Sequence, residues 1–211
     1  MQRILEPELM DSPAQAVAFH RANRDYGIRG FLELYEKYIN LQEGKIIDLG
    51  CGTGEYLLAL EYKYPNLIIT GFDGSEPMIQ IARGLVESHS SSIRVRHRQF
   101  KDIDATANCV ISTNTLHHLH DPSVFWECVK RIAPKVFVMD LIRPHSTAIA
   151  NDIVNALAPN ESDEFKSDYY NSLLAAFSPE ELQEQIKGTK LQLKVEGDPN
   201  SLQVAVIYGI L

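Results

Sequence analysis

The chain has 211 residues, 45% of them apolar and 23% charged, which suffices for one domain with a sizeable core and excludes collagenous, low-complexity and wholly disordered classes. A formal net charge of −8 removes long-range attraction to phosphate backbones and anionic lipid, so neither nucleic acid nor a membrane surface is an expected partner. Cys51, Cys109 and Cys128 are odd in number and lack CxxC spacing; they argue against a disulfide framework or thiolate zinc site and fit a cytoplasmic protein. No apolar run approaches the ~20 residues of a membrane span, and the first sixteen residues lack a targeting pattern.

Residues 12–41 have helical spacing, with Asp11 or Ser12 as cap, Pro13 in the first turn, and Gly27 and Gly30 dividing the stretch. Short β-branched runs follow at 46–49, 67–72, 93–97, 109–112 and 136–141, separated by helical patterning. The runs around Ile47, Ile69, Val110 and Val138 are almost continuously apolar, as parallel strands covered on both faces require. The expected fold is therefore α/β, a doubly wound, mostly parallel sheet. Residues 191–195 and 202–209 are strand-like and are joined through Asp198-Pro199-Asn200, too short for a crossover helix, so these two strands are expected to pair antiparallel.

The most informative segment is the strand and loop Ile46-Ile47-Asp48-Leu49-Gly50-Cys51-Gly52-Thr53-Gly54, entering a helix at Glu55. Alternating glycines let the backbone turn sharply and let a ligand approach the main chain. The spacing is not GxGxxG, because Glu55 stands where the third glycine would be, and the Lys-Ser/Thr of a phosphate loop is missing. A pyrophosphate is thus disfavoured, while a ligand with a sulfonium or amine tolerates the acidic Glu55. Asp73 closes the second strand nineteen residues after Gly54, where a carboxylate is placed to accept hydrogen bonds from ribose hydroxyls.

With DxGxGxG at 48–54, Asp73 followed by Ser75, Met78 and Ala82, the fourth-strand segment 110–119 and Asp140–Pro144 after it, the sequence resembles the class I S-adenosylmethionine-dependent methyltransferases, small-molecule enzymes in particular. The resemblance implies a seven-stranded Rossmann-like sheet with its last strand antiparallel, S-adenosylmethionine as cofactor and a small-molecule methyl acceptor. Carried over by position, it places Asp48, Gly50, Gly52 and Gly54 around the methionine part, Asp73 at the ribose, Met78 and Asp102 at adenine, and Asn114 at the methionyl end or the acceptor, with Cys51, Gly74 and Ser75 also binding the cofactor. Residues 1–43 are expected to form a helical lid over a core of residues 44–211, all in one domain. A catalytically silent cofactor-binding partner protein and a nicotinamide-dependent oxidoreductase are the competing classes.

Methyl transfer needs a general base only if the acceptor must lose a proton. His117, His118 and His145 are the candidates, being close beyond the fourth and fifth strands. The His117-His118-x-His120 cluster has no Asp, Glu or Cys at ligand spacing, and neighbouring histidines on a turn diverge, so no metal is expected. Tyr26, Tyr169, Tyr170 and Asn171 are candidates for a substrate wall.

Overall fold

The first helix, α1 (Pro13–Arg21), starts where Ser12 Oγ accepts the Gln15 amide at 3.5 Å and Pro13 fills the first turn. The computed structural model describes residues 1–22, 25–198 and 201–211, without the side chains of Asp25 and Tyr26. The second helix, α2 (Asp25–Tyr38), contains both Gly27 and Gly30, so the break in the helical stretch lies before these glycines. From there strands and helices alternate: β1 (Glu43–Leu49), α3 (Glu55–Lys63), β2 (Asn66–Asp73), α4 (Glu76–Ser88), β3 (Arg94–His97), β4 (Cys109–Thr113), α5 (Ser123–Ile132) and β5 (Lys135–Leu141). Three helices, α6 (Thr147–Leu157), α7 (Asp163–Ala175) and α8 (Pro179–Gln185), precede β6 (Gln192–Gly197) and β7 (Gln203–Ile210). The turn expected at Pro199 and Asn200 lies outside the described residues.

The seven strands lie in the order β3-β2-β1-β4-β5-β7-β6. The first five are parallel; β7 inserts antiparallel between β5 and β6, with Val138 opposite Ile207 and Val195 opposite Ala205. Strand alternation divides the buried residues between two layers. Ile47, Leu49, Val110, Val136 and Val138 face α5 and α8, where Phe125, Val129 and Leu182 meet them. Ile46, Ile69, Ile111, Phe137 and Met139 face α2, α3 and α4.

The second layer corrects the lid expected over residues 1–43. Phe31 and Tyr35 of α2 are fully buried, and both rings pack edge-on against Phe137 of β5, with centroids 5.9 and 5.8 Å away. A helix that buries two aromatic rings against the sheet is part of the core. Ahead of it, Glu8, Leu9, Met10 and Phe19 reach the open end of the sheet.

Candidate functional site

The strand order reverses between β1 and β4, one neighbour leading to β2 and the other to β5. Crevices at such a reversal, beyond the carboxyl ends of the strands, are where ligands bind in open α/β sheets. A cavity of about 380 Å³ opens there, lined by the loop after β1, the end of β2, the turn after β4 and the N-terminal segment. That volume suits a nucleoside-sized ligand.

The glycine loop builds one wall. Gly50 has φ +78° and Gly52 φ +53°, left-handed values that cost an ordinary side chain roughly 1–2 kcal/mol. A Cβ on Gly50 would overlap the Thr115 side chain, whose hydroxyl donates to the Gly50 carbonyl at 3.2 Å. The loop thus closes tightly on the turn after β4 and leaves its main chain facing the cavity. Asp73, at the tip of β2, accepts the Gly52 amide at Oδ2 and the Ser75 amide at Oδ1, each at 2.8 Å. Ser75, not Asp73, caps α4, its hydroxyl accepting the Met78 amide at 3.3 Å. Burial raises the Asp73 pKa, and the two amides oppose that rise. Each carboxylate oxygen can still accept another hydrogen bond.

Of the residues expected at a cofactor, Gly50, Cys51, Gly52, Asp73, Gly74, Ser75, Met78 and Asn114 line the cavity together. Asn114 takes φ +51°, which turns the chain across the mouth beyond β4. Three others stand elsewhere. Gly54 caps α3, where a Cβ would meet Ala82 of α4. Asp102 is exposed at the end of a short 3₁₀ turn, and its neighbours Phe100 and Lys101 reach the cavity instead. Asp48 is buried behind the loop, its Oδ1 without a partner, and burial together with Asp73 pushes its pKa well up.

The histidines separate by geometry. His118 lines the cavity. His117 is buried behind it, with Nδ1 held 2.5 Å from Asp140 Oδ1. His145 stands apart from both: it is exposed beyond β5, near Glu180, and does not line the cavity. The expectation that the paired histidines diverge is corrected, since their rings lie side by side, centroids 4.3 Å apart and planes tilted by 32°. The carboxylate missing from the local sequence comes from Glu6, whose Oε1 lies 3.2 Å from His118 Nδ1. Burial pulls the pKa of His118 down to about 3, and His117 adds to the fall. Burial also lowers that of His117, but the charge and hydrogen bond of Asp140 outweigh it and the net direction is up.

Among the substrate-wall candidates, Asn171 lines a smaller cavity of about 160 Å³ that shares Leu9, Met10 and His118 with the first. Tyr169 and Tyr170 pack into the apolar cluster of α6 and α7, away from both cavities. The side chain of Tyr26 lies outside the described residues.

The segment Arg3–Met10 supplies a wall that no motif announced. The Arg3 guanidinium stacks 3.8 Å from the centre of the Phe177 ring and donates to the carbonyls of Ala175, His117 and Leu119. Ser75 Oγ donates to the Met10 carbonyl at 2.8 Å, and the Leu9 side chain comes close to Gly74. In α1, Phe19 reaches the cavity and His20 Nδ1 lies 2.7 Å from Glu55 Oε1 at the foot of the glycine loop. Arg98 and Gln99 also line the cavity; their place just beyond β3 is the one signal that could have marked them.

Residues 46–135, from β1 into β5, match the family model of a methyltransferase domain. That segment, less than half of the chain, resembles a methyltransferase domain. Over 79 residues the chain is 35% identical to a carboxy-S-adenosyl-L-methionine synthase of Campylobacter hominis, an alignment covering 37% of this chain and 34% of that one. A malonyl-[acyl-carrier protein] O-methyltransferase of Bacillus cytotoxicus is 29% identical over 92 residues, 44% of this chain and 32% of the relative. The chain thus spans about a third of the length of these relatives in alignment. In fold it resembles an S-adenosylmethionine-dependent methyltransferase from Aquifex aeolicus, with a TM-score of 0.67, 17% identity and coverage of 95% and 99% of the two chains. The plantazolicin methyltransferase BpumL, solved with SAH and a desmethyl plantazolicin analogue, gives a TM-score of 0.67 at 14% identity, with coverage of 94% and 90%.

Proposed function

We propose that this chain binds S-adenosylmethionine in the larger cavity and transfers its methyl group to a small-molecule acceptor. The observation that carries the reading is the pairing of a glycine-turn main chain with the Asp73 carboxylate across one cavity at the sheet's reversal point. Each Asp73 oxygen, having accepted one backbone amide, has capacity left for a ribose hydroxyl. Met78 and Phe100 offer apolar surface to the adenine, and the main chain of Gly50 and Gly52 approaches the methionine part.

The cofactor supplies an activated methyl on a sulfonium leaving group, so the protein's contribution is chiefly to align donor and acceptor and exclude water. Asn114 and His118 stand beyond β4 on the side assigned to the acceptor. Of the three histidines weighed as bases, His118 is the one in that position. Residues 1–21 close the cavity, with Arg3, Ser75 and His20 tying the cover to the core. One domain containing core and cover, in a cytoplasmic setting, completes the reading. It is supported by three buried free cysteines and by the lack, among described residues, of a helix long and apolar enough to cross a membrane.

Calorimetric titration of the full chain with S-adenosylmethionine, S-adenosylhomocysteine and NADH tests the cofactor; binding of NADH in place of the adenosyl compounds would overturn it. Transfer of labelled methyl from S-adenosylmethionine to a metabolite extract tests the reaction. Cofactor binding with no labelled acceptor from any extract would favour the silent partner protein.

A further inference from the structure

A buried corner between the N-terminal segment and the turn after β4 brings Glu6 and His117, which the methyl-transfer reading does not use, together with His118 of the cavity wall. Glu6 Oε1 lies 3.2 Å from His118 Nδ1 and 3.6 Å from His117 Nε2, and the ligand atoms of all three residues fall within 4.8 Å of one another. Two ligands bonded about 2.0–2.1 Å from a tetrahedral ion stand about 3.3–3.4 Å apart, a spacing that the two Glu6 distances bracket. Hydrogen bonding does not account for the arrangement. Glu6 Oε1 and His118 Nδ1 are buried without a hydrogen-bond partner, and 3.6 Å is too long for one from His117 Nε2. The side chains are only 10%, 2% and 16% exposed for Glu6, His117 and His118, so solvent does little to satisfy them.

Behind the cluster, Asp140 Oδ1 holds His117 Nδ1 at 2.5 Å. In the neutral ring that contact assigns the proton to Nδ1 and aims the Nε2 lone pair at Glu6. A carboxylate on the far nitrogen of a ligating histidine is the usual support of a metal site. Nearby charge is mixed: Arg3 donates to the His117 carbonyl at 2.7 Å, while Asp140 and Glu6 each contribute a carboxylate.

We propose that Glu6 Oε1, His117 Nε2 and His118 Nδ1 bind one divalent transition-metal ion, with Asp140 as the supporting carboxylate of His117. Two imidazoles and one carboxylate suit zinc, cobalt or iron(II) better than calcium or magnesium. A fourth position remains for water or a ligand oxygen, and the 160 Å³ cavity lined by Glu6, His118, Asn171 and Ser172 adjoins the cluster. The ion joins Glu6, in the cover, to the turn after β4, so it strengthens closure over the larger cavity.

The test is a Co²⁺ titration of the full chain after chelation, read by visible d–d absorption, followed by displacement with Zn²⁺. One equivalent should bind with the absorption of a four-coordinate site and be displaced by Zn²⁺. Glu6→Gln should weaken it at least ~10-fold, His118→Ala should abolish it, and Asp140→Asn should weaken it by about 10–100-fold. Far-UV circular dichroism checks each fold, and the nearly isosteric Glu6→Gln decides the matter if His118→Ala does not fold. No stoichiometric Co²⁺, or an adventitious ion only, bound equally by wild type and Glu6→Gln, overturns the site. Because the readout is absorption and not turnover, a failure of methyl transfer leaves it intact.

Discussion

Two carboxylates stand at the carboxyl ends of two parallel strands and have opposite characters. Asp73, at the tip of β2, accepts two backbone amides and borders an open cavity. Asp140, near the end of β5, accepts the amides of Thr115, Leu116 and Leu141 at 2.6–3.0 Å and that of His117 at 3.4 Å, with the His117 ring as a further partner, and it is sealed from solvent. Burial raises the pKa of both; in Asp140 the charge and hydrogen bond of His117 more than reverse this, whereas in Asp73 the amides do not. Position in an α/β sheet therefore does not settle a carboxylate's role. The number of donors already satisfied does: Asp140 holds the turn that carries the two histidines, and Asp73 retains capacity for a ligand.

The largest expected effect is at Asp140. Replacement by Ala strands a buried imidazole and several amides, and breaking a buried pair of this kind costs about 3–5 kcal/mol. At 2–4 °C per kcal/mol for a chain of this size, thermal unfolding should show a melting temperature lower by about 10 °C. Asp73→Ala should instead weaken S-adenosylhomocysteine by about 100-fold, equivalent to roughly 2.7 kcal/mol, while the ligand-free protein loses no more than about 1 kcal/mol. Calorimetry and thermal unfolding on the same two proteins provide the contrast. Equal destabilisation with equal affinity would make Asp73 a second structural carboxylate and break the comparison.

Gly50 lies between these two regions, because its space is filled by Thr115 from the turn that Asp140 holds. Gly50→Ala combines a left-handed φ with side-chain overlap and should cost about 2 kcal/mol or more. Thr115→Ala in the same chain should recover part of that, so the two substitutions will not add. Strict additivity in urea unfolding would mean that the loop and the turn are not in contact.

Local spacing explains what could be read without coordinates. The glycine loop and Asp73 are joined by one strand-helix-strand unit, so the interval between them is nearly fixed, and β-branched runs report burial directly. Phe31 and Tyr35 announced a buried helix face but not the surface that buries it, hence α2 was expected in a lid and lies in the core. His145 follows a strand end, as a ligand-contacting group would, yet the chain carries it outward. Glu6 stands 111 residues before His117 in a segment without helical or strand period, and only the folded chain brings the two together.

Asp48 is a third carboxylate and differs from both. It lies beneath the glycine loop, Oδ1 has no partner, and burial with the nearby Asp73 raises its pKa. A carboxyl whose folded pKa exceeds its unfolded value binds protons more readily in the native state, so its contribution favours the native state at low pH and is lost as pH rises towards the folded value. Asp48→Asn removes the ionisation. At pH 8 it should stabilise the chain by on the order of 1 kcal/mol, or about 2–4 °C, and at pH 5 by clearly less. Cofactor affinity should stay near wild type, since Asp48 does not line the cavity. A pH-independent difference would remove the buried-acid account, and a 10-fold loss of S-adenosylhomocysteine affinity would return Asp48 to the ligand wall, as its place in the glycine motif first suggested.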